Sequence, residues 1–206
     1  LGPLIARASV HANTAGVFKG FYKDRRTGLG RYGGSGADAL GRIRGLIELE
    51  APVLSGFEAE VHVETGDANA LARRAGAFDL AYLDPPYNQH PYGSNYFMLN
   101  LLVDYRRPAR VSPVSGIPEG WRRSDYNRRR RARAALERLL DDLDAPHLII
   151  SLANEGFIPI EDMRACLERR GRVEAFEVPH PAFRGSRSFA NRSTSVTEHV
   201  FWVERS

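Results

Sequence analysis

The chain has 206 residues, 43% of them hydrophobic and 26% charged, which supports one substantial core, a single domain or most of one, and excludes the composition of a disordered protein. Its formal net charge of +4, with basic residues spread unevenly, favours an anionic partner. No apolar run reaches the ~20 residues that cross a bilayer, so a cytoplasmic protein with no membrane partner is expected.

In chain order, the sequence begins at Leu1 rather than at methionine, and Leu4, Ile5, Ala8 and Val10 have the spacing of a buried face, so it reads as starting inside a domain. Helical spacing over the first 24 residues is interrupted by the polar pair Asn13-Thr14. The glycine-rich run from Gly28 to Gly36 follows no clear strand, as a nucleotide-binding glycine loop must, and reads as a surface loop. Asp38 to Leu49 has the pattern of a short helix. Phe57 to Val63 alternates as a strand does, before the turn Glu64-Thr65-Gly66-Asp67. Asp67 is placed to cap a helix through Leu71 or beyond. Phe78 to Leu83 is a compact apolar run, predicted to be a buried strand that delivers Asp84-Pro85-Pro86-Tyr87 at its C-terminal end, where open α/β sheets bind ligands.

Residues 106–135 form a Pro/Arg-rich insert around Pro108, Pro113 and Pro118. Its densest part, Trp121 to Arg131, mixes guanidinium groups with aromatic and amide side chains, which suits phosphate neutralisation and base stacking; a solvated helix start is the plainer reading. A helix is predicted from Arg128 to Leu143, a buried strand from His147 to Leu152 with the turn Asn154-Glu155-Gly156, a helix from Ile160 to Arg170, and strands at Val173 to Val178 and His199 to Val203. Strands alternating with helices predict an α/β fold with a largely parallel sheet. The single cysteine, Cys166, can form no internal disulfide and reads as a buried helix residue. The six histidines show no ligand spacing, so no metal site is expected.

Asp84-Pro85-Pro86-Tyr87 is the informative motif. Consecutive prolines fix two φ angles and remove two backbone donors, leaving neighbouring carbonyls free to accept. An amine conjugated to a ring is a poor nucleophile because its lone pair is delocalised. Acceptors on its hydrogens, such as the Asp84 carboxylate and the Pro85 carbonyl, favour a localised lone pair, and Tyr87 offers a flat face to a base drawn out of a duplex. The plain alternative is a Pro-Pro turn after a buried strand.

The block Asp79 to Asn88, the block Tyr92 to Asn100, and the shorter stretches Ala12 to Phe18, Ser151 to Gly156 and Thr197 to Phe201 together resemble the bacterial DPPY-type adenine-specific DNA methyltransferases of restriction-modification systems. The resemblance spans nearly the whole chain, with Phe97 where the family often has histidine. It implies a Rossmann-like class I S-adenosylmethionine-dependent methyltransferase sheet, incomplete at its N-terminus and with its last strand antiparallel, residues 1–206 being the C-terminal part of one catalytic domain. It implies a catalytic loop of Asp84, Pro85, Pro86 and Tyr87, with Asp67 and Asp84 contacting the cofactor S-adenosylmethionine; for Asp67 the alternative is a helix cap. Double-stranded DNA is the implied partner, with a cognate restriction endonuclease as a second, and the candidate DNA-contacting residues are Asn88, Tyr92, Asn95, Tyr96, Arg122, Arg123, Arg128, Arg129 and Arg130. The family's aromatic-glycine cofactor loop has no counterpart here and is expected to precede Leu1; residues 88–206 hold no aromatic-x-Gly-x-Gly after a strand. Three rivals stand beside this reading. Methylation of guanine amino groups in RNA is opposed by the Tyr92 to Asn100 block. Methylation of protein glutamine is opposed by Asp84 at the first motif position. The third is a non-catalytic nucleic-acid-binding remnant.

Overall fold

The structure, a computed structural model, describes residues 1–10, 22–23, 26, 30–31, 44–113, 117–121, 123–181 and 195–205. In chain order the elements are α1 (Gly2–Val10), β1 (Tyr22–Lys23), β2 (Gly30–Arg31), α2 (Ala68–Ala72), β3 (Leu80–Leu83), α3 (Tyr92–Asn95), α4 (Phe97–Asp104), a 3-10 turn (Asp125–Asn127), α5 (Arg129–Asp142), β4 (His147–Ala153), α6 (Ile160–Glu168), β5 (Gly171–Pro181) and β6 (Ser195–Arg205). They fall into two compact units, one of residues 1–61, 92–122 and 183–192 and one of residues 62–91, 123–182 and 193–206.

In the first unit α1 packs against α4, and β1 pairs antiparallel with β2. α4 stops where Tyr105 turns into the left-handed region at φ 48° and donates its N–H to the Leu101 carbonyl at 2.9 Å, the usual way an orphan helix carbonyl is satisfied. The sequence reading predicts neither α3 nor α4; in α3, Gly93 and Asn95 are poor helix formers.

The second unit is a mixed α/β body built on a four-stranded sheet in the order β3-β4-β6-β5. β3 and β4 run parallel, as expected of strands linked through a helix, but the other two pairings are antiparallel, so the described sheet is not the largely parallel one predicted, and β3, predicted to be buried, has Leu80 and Tyr82 exposed at the sheet edge. β6 enters between β4 and β5 and is antiparallel to both. Leu148, Ile150 and Leu152 of β4 and Phe201 and Val203 of β6 are buried against two helices. α5 is rich in arginine, yet Ala132, Ala135, Leu136, Leu139 and Leu140 fall on one helical face and are buried. α6 adds Met163, Cys166 and Leu167, so Cys166 is the buried helix residue that the sequence predicts.

β5 and β6 extend well past the predicted Val173 to Val178 and His199 to Val203. They pair without a break from Gly171↔Arg205 to Pro181↔Ser195, and a backbone ladder once started needs no apolar side chains to continue. Gly171 is required where β5 begins, since a Cβ there would lie 2.0 Å from the Glu204 carbonyl oxygen.

Two expected elements are not found among the described residues. Phe57 to Val63 forms no strand, and Phe57 and Val61 are 88% and 77% exposed. Alternation alone does not make a strand; the backbone needs a neighbour to pair with, and no described strand lies alongside. The helix expected over Asp38 to Leu49 is not formed at residues 44–49, and its first part lies outside the described residues. So do most of the Gly28 to Gly36 run and Arg122.

Leu140 is fully buried at the meeting of α5 with the sheet. Leu140→Ala is expected to lower the unfolding free energy by about 2–5 kcal/mol, read from the midpoint of urea denaturation at unchanged slope.

Candidate functional site

β3 ends at Leu83, in register with Ile150 of the parallel β4, and the chain leaves the sheet through Asp84-Pro85-Pro86-Tyr87. The two prolines cannot donate, so the loop is fastened through its carbonyls. Phe157 N–H donates to the Tyr87 carbonyl at 2.7 Å, and Asn127 Nδ2 donates to the Asn88 carbonyl at 2.8 Å. Asn88 Oδ1 accepts the His90 N–H at 2.9 Å, an Asx turn that ends the loop.

Behind the loop lies an apolar cavity of about 20 Å³, lined by Pro85, Pro86, Tyr87, Tyr126, Leu152 and Met163 among others. It has room for about one water and none for a ring, so it serves as backing for the loop. Gly156 closes it tightly: a Cβ there would stand 3.2 Å from the Ala153 carbonyl oxygen and 3.4 Å from Tyr87 Cβ.

Asp84 stays solvent-accessible, yet its carboxyl is raised above the ordinary 3.8, first by partial burial and then by the negative charge of Glu198. Glu198, on β6, has its Oε1 2.5 Å from Ser151 Oγ, which donates to it. The loop therefore sets donor-free proline backbone beside a carboxylate that holds its charge reluctantly.

Asp67 caps α2, its Oδ1 accepting the Ala70 N–H at 3.0 Å. The helix-cap role is thus present in the fold. Asp67 also acts on the loop's surroundings through Tyr126, whose hydroxyl is pushed up by burial and then by the Asp67 charge. A phenol so held stays protonated, and Tyr126 donates to Asn69 Oδ1 (3.1 Å) and the Ala135 carbonyl (3.3 Å), while Asn69 Nδ2 donates to the same carbonyl at 2.7 Å.

The Arg-rich segment is less free than its composition suggests. Tyr126 is 5% exposed and belongs to the core, and Asn127 reaches the loop. Arg128 and Arg131 share Asp125 at 3.5 and 3.3 Å. Arg129 lies 5.0 Å over the Phe157 ring, the residue whose N–H holds Tyr87. Arg130 makes no ion pair among the described residues and, like Arg123, is exposed. In the other unit, Tyr92 and Tyr96 form a tilted aromatic pair 5.4 Å apart, and Asn95 Oδ1 is buried with no hydrogen-bond partner.

The fold therefore gathers Asp84, Pro85, Pro86, Tyr87 and Asn88 with Asn127, Tyr126, Gly156, Ser151 and Glu198. Of the last five, Tyr126 and Asn127 enter the sequence reading only as members of the Arg-rich stretch suited to nucleic-acid contact, and Gly156, Ser151 and Glu198 carry no role there. Ser151, Gly156 and Glu198 stand in stretches whose family likeness is visible, but nothing in a linear sequence shows that β4 and β6 meet beside β3. Among the described residues no group of His, Cys, Asp and Glu could hold a metal ion, and no helix is long and apolar enough to cross a membrane.

Residues 46–111, which contain the loop, match the model of the D12 class N6 adenine-specific DNA methyltransferases. The chain is 31% identical over 125 residues to the type II methyltransferase M.CviAII of Paramecium bursaria Chlorella virus 1, covering 61% of this chain and 37% of that protein. It is 30% identical over 146 residues to the modification methylase StsI of Streptococcus sanguinis, covering 68% of this chain and 21% of that protein. Over 207 aligned positions it is 27% identical to the type II methyltransferase M.NlaIII of Neisseria lactamica, covering 100% of this chain and 57% of that protein. The chain thus spans less than two thirds of the length of each of these relatives. No solved structure matches it.

The raised Asp84 carboxyl has a signed consequence. A carboxyl whose folded value is raised opposes folding once ionised. The opposition is absent below the ordinary 3.8, grows as pH rises through that value, and is complete above the folded value. Asp84→Asn is therefore expected to raise the melting temperature at pH 7 and to lose that gain near pH 3; a gain independent of pH, in thermal unfolding followed from pH 3 to 8, would rule out the electrostatic cause.

Proposed function

We infer from the match of residues 46–111 to the D12 class N6 adenine-specific DNA methyltransferases that this chain belongs to that family and carries the target-amine site of an enzyme that methylates the exocyclic amino group of adenine in double-stranded DNA. The observation that supports this reading best is the loop itself: a carboxylate and donor-free proline backbone at a strand end, followed by a tyrosine and fastened from outside by Phe157 and Asn127.

In this reading the Asp84 carboxylate and the Pro85 carbonyl accept the hydrogens of the adenine amine, which localises the nitrogen lone pair, and Tyr87 stacks on the extruded base. Bound S-adenosylmethionine supplies the sulfonium methyl group in a direct displacement. Most of the rate enhancement comes from orientation and fixed acceptors, and the clamps on Tyr87 and Asn88 keep those acceptors in place before the base arrives. A Rossmann-like class I sheet is supported by the parallel β3–β4 pair and by β6 inserted antiparallel beside β4.

The described residues fit the cofactor only in part. Asp84 follows the end of β3 and Asp67 caps α2, but no described strand pairs with the outer edge of β3, where Tyr82 is 62% exposed, and among the described residues no glycine-rich cofactor loop follows a strand. The cofactor side is therefore not enclosed by these residues.

The deciding measurement is methyl transfer from labelled S-adenosylmethionine to adenine in duplex DNA, made with this chain, with the chain together with any residues its gene encodes before Leu1, and with Asp84→Ala in the active form. Transfer lost by about 10²-fold or more in Asp84→Ala is expected. Transfer to RNA in place of DNA, or to neither, would overturn the reading.

For DNA affinity, the Arg-rich segment divides by what its members already hold. Arg130→Ala is expected to reduce the slope of log affinity against log salt by about one unit, whereas Arg128→Ala reduces it less, because Asp125 already partners Arg128. Equal slopes for the two variants and the wild type in fluorescence-anisotropy titrations would exclude this division.

A further inference from the structure

Glu198 stands close to the loop through a route that no short motif reveals. Leu83 is in register with Ile150, so Asp84 leaves β3 alongside Ser151 of β4. Ser151 is 7% exposed, and its hydroxyl donates to Glu198 Oε1 at 2.5 Å. Glu198 is itself in register with Ala153 of β4, and the Thr197 carbonyl beside it accepts the Asn154 N–H at 3.0 Å. Strand β6 is thereby tied to the end of β4 on both sides of Glu198, which fixes the carboxylate.

His199, the next residue on β6, projects to the opposite face of the sheet, where its Nδ1 is 3.8 Å from Glu177 of β5. Directly across from Glu198 on β5 is Val178, which is uncharged. On the β3 and β4 side the groups met are Asp84, Ser151 and Ala153. Two carboxylates thus share one end of the sheet, one tethered by a buried hydroxyl and the other free at the head of the loop. Fixed like charges disfavour the ionised state of the free one and make it a stronger acceptor of a proton or a hydrogen bond.

Resting on the methyltransferase reading for its role in the reaction, we propose that Glu198, tethered by Ser151, is a positioning residue that acts through Asp84, strengthening the Asp84 carboxylate as acceptor for the hydrogens of the target amine. Glu198 touches neither base nor cofactor in this scheme. It matters by its charge, and Ser151 by holding that charge in place. The raised Asp84 carboxyl, with Glu198 among its causes, agrees with this arrangement.

The test separates charge from shape. Glu198→Gln keeps an oxygen that can accept from Ser151 and removes only the charge. Ser151→Ala removes the tether, and Ser151→Thr restores a hydroxyl. The Asp84 carboxyl is titrated directly by carbon-13 NMR in each variant, and kcat and KM for duplex DNA are measured against pH in the active form. In Glu198→Gln the Asp84 midpoint is expected to fall toward the ordinary 3.8, the acid limb of the rate profile to move to lower pH with it, and kcat to fall about three- to tenfold with little change in KM. Ser151→Ala is expected to give a smaller shift in the same direction, reversed in Ser151→Thr. An Asp84 midpoint unmoved by Glu198→Gln overturns the proposal whatever the activity, and so does a moved midpoint with unchanged kcat. A wild-type enzyme that transfers nothing to DNA while the midpoint still shifts overturns the methyltransferase reading and supports the action of Glu198 on Asp84.

Discussion

The parallel pairing of β3 with β4 is the constraint on which the rest of the site depends. β4 is buried along most of its length, with Leu148, Ile150 and Leu152 packed under α5 and α6, so its position is set by the core. β3 is short and half exposed, and its register is imposed by β4. That register brings the chain out of the sheet at Asp84, next to Ser151, and so decides where two prolines and a tyrosine are displayed. A slip of one residue would turn Leu83 outward and Asp84 inward, and Leu83 packs against the core, which opposes such a slip.

The Arg-rich segment shows how one stretch serves packing and surface charge together. Tyr126 is sunk in the core with its hydroxyl satisfied by Asn69 and Ala135, Asn127 clamps the loop, and Arg129 covers Phe157. The aromatic and amide residues that give this stretch the composition of a nucleic-acid contact are therefore largely occupied inside the unit. The arginines around them carry the charge. Loop geometry and surface potential are coupled here, because the turn that exposes the guanidinium groups is the turn that holds Asn88.

At the loop, stability and chemistry pull in opposite directions. An ionised Asp84 beside Glu198 opposes folding at neutral pH, and a protein selected for stability alone would carry an uncharged side chain there. A carboxylate disfavoured in the resting fold is better matched to hydrogens that polarise as a bond forms. Glu198 is held in place by the buried hydroxyl of Ser151.

The sequence alone determined the elements whose patterns are local. The periodic apolar face of α5 announces a helix despite its arginines, Asp67 announces a helix start, and the compact run before Asp84 announces a strand ending in a rigid loop; each rests on side chains a few residues apart. The chemistry of the loop was legible for the same reason, since the four residues that define it are contiguous. Tertiary structure decided what depends on residues far apart in the chain. It left Phe57 to Val63 unpaired although the segment alternates, because a strand exists only through its neighbour, and it lengthened β5 and β6 because pairing carries on where apolar patterning stops. It also put Glu198 beside Asp84 and Asn127 beside Asn88. No local pattern encodes those meetings, because they follow from the order in which buried strands and helices pack, which is settled by the core as a whole.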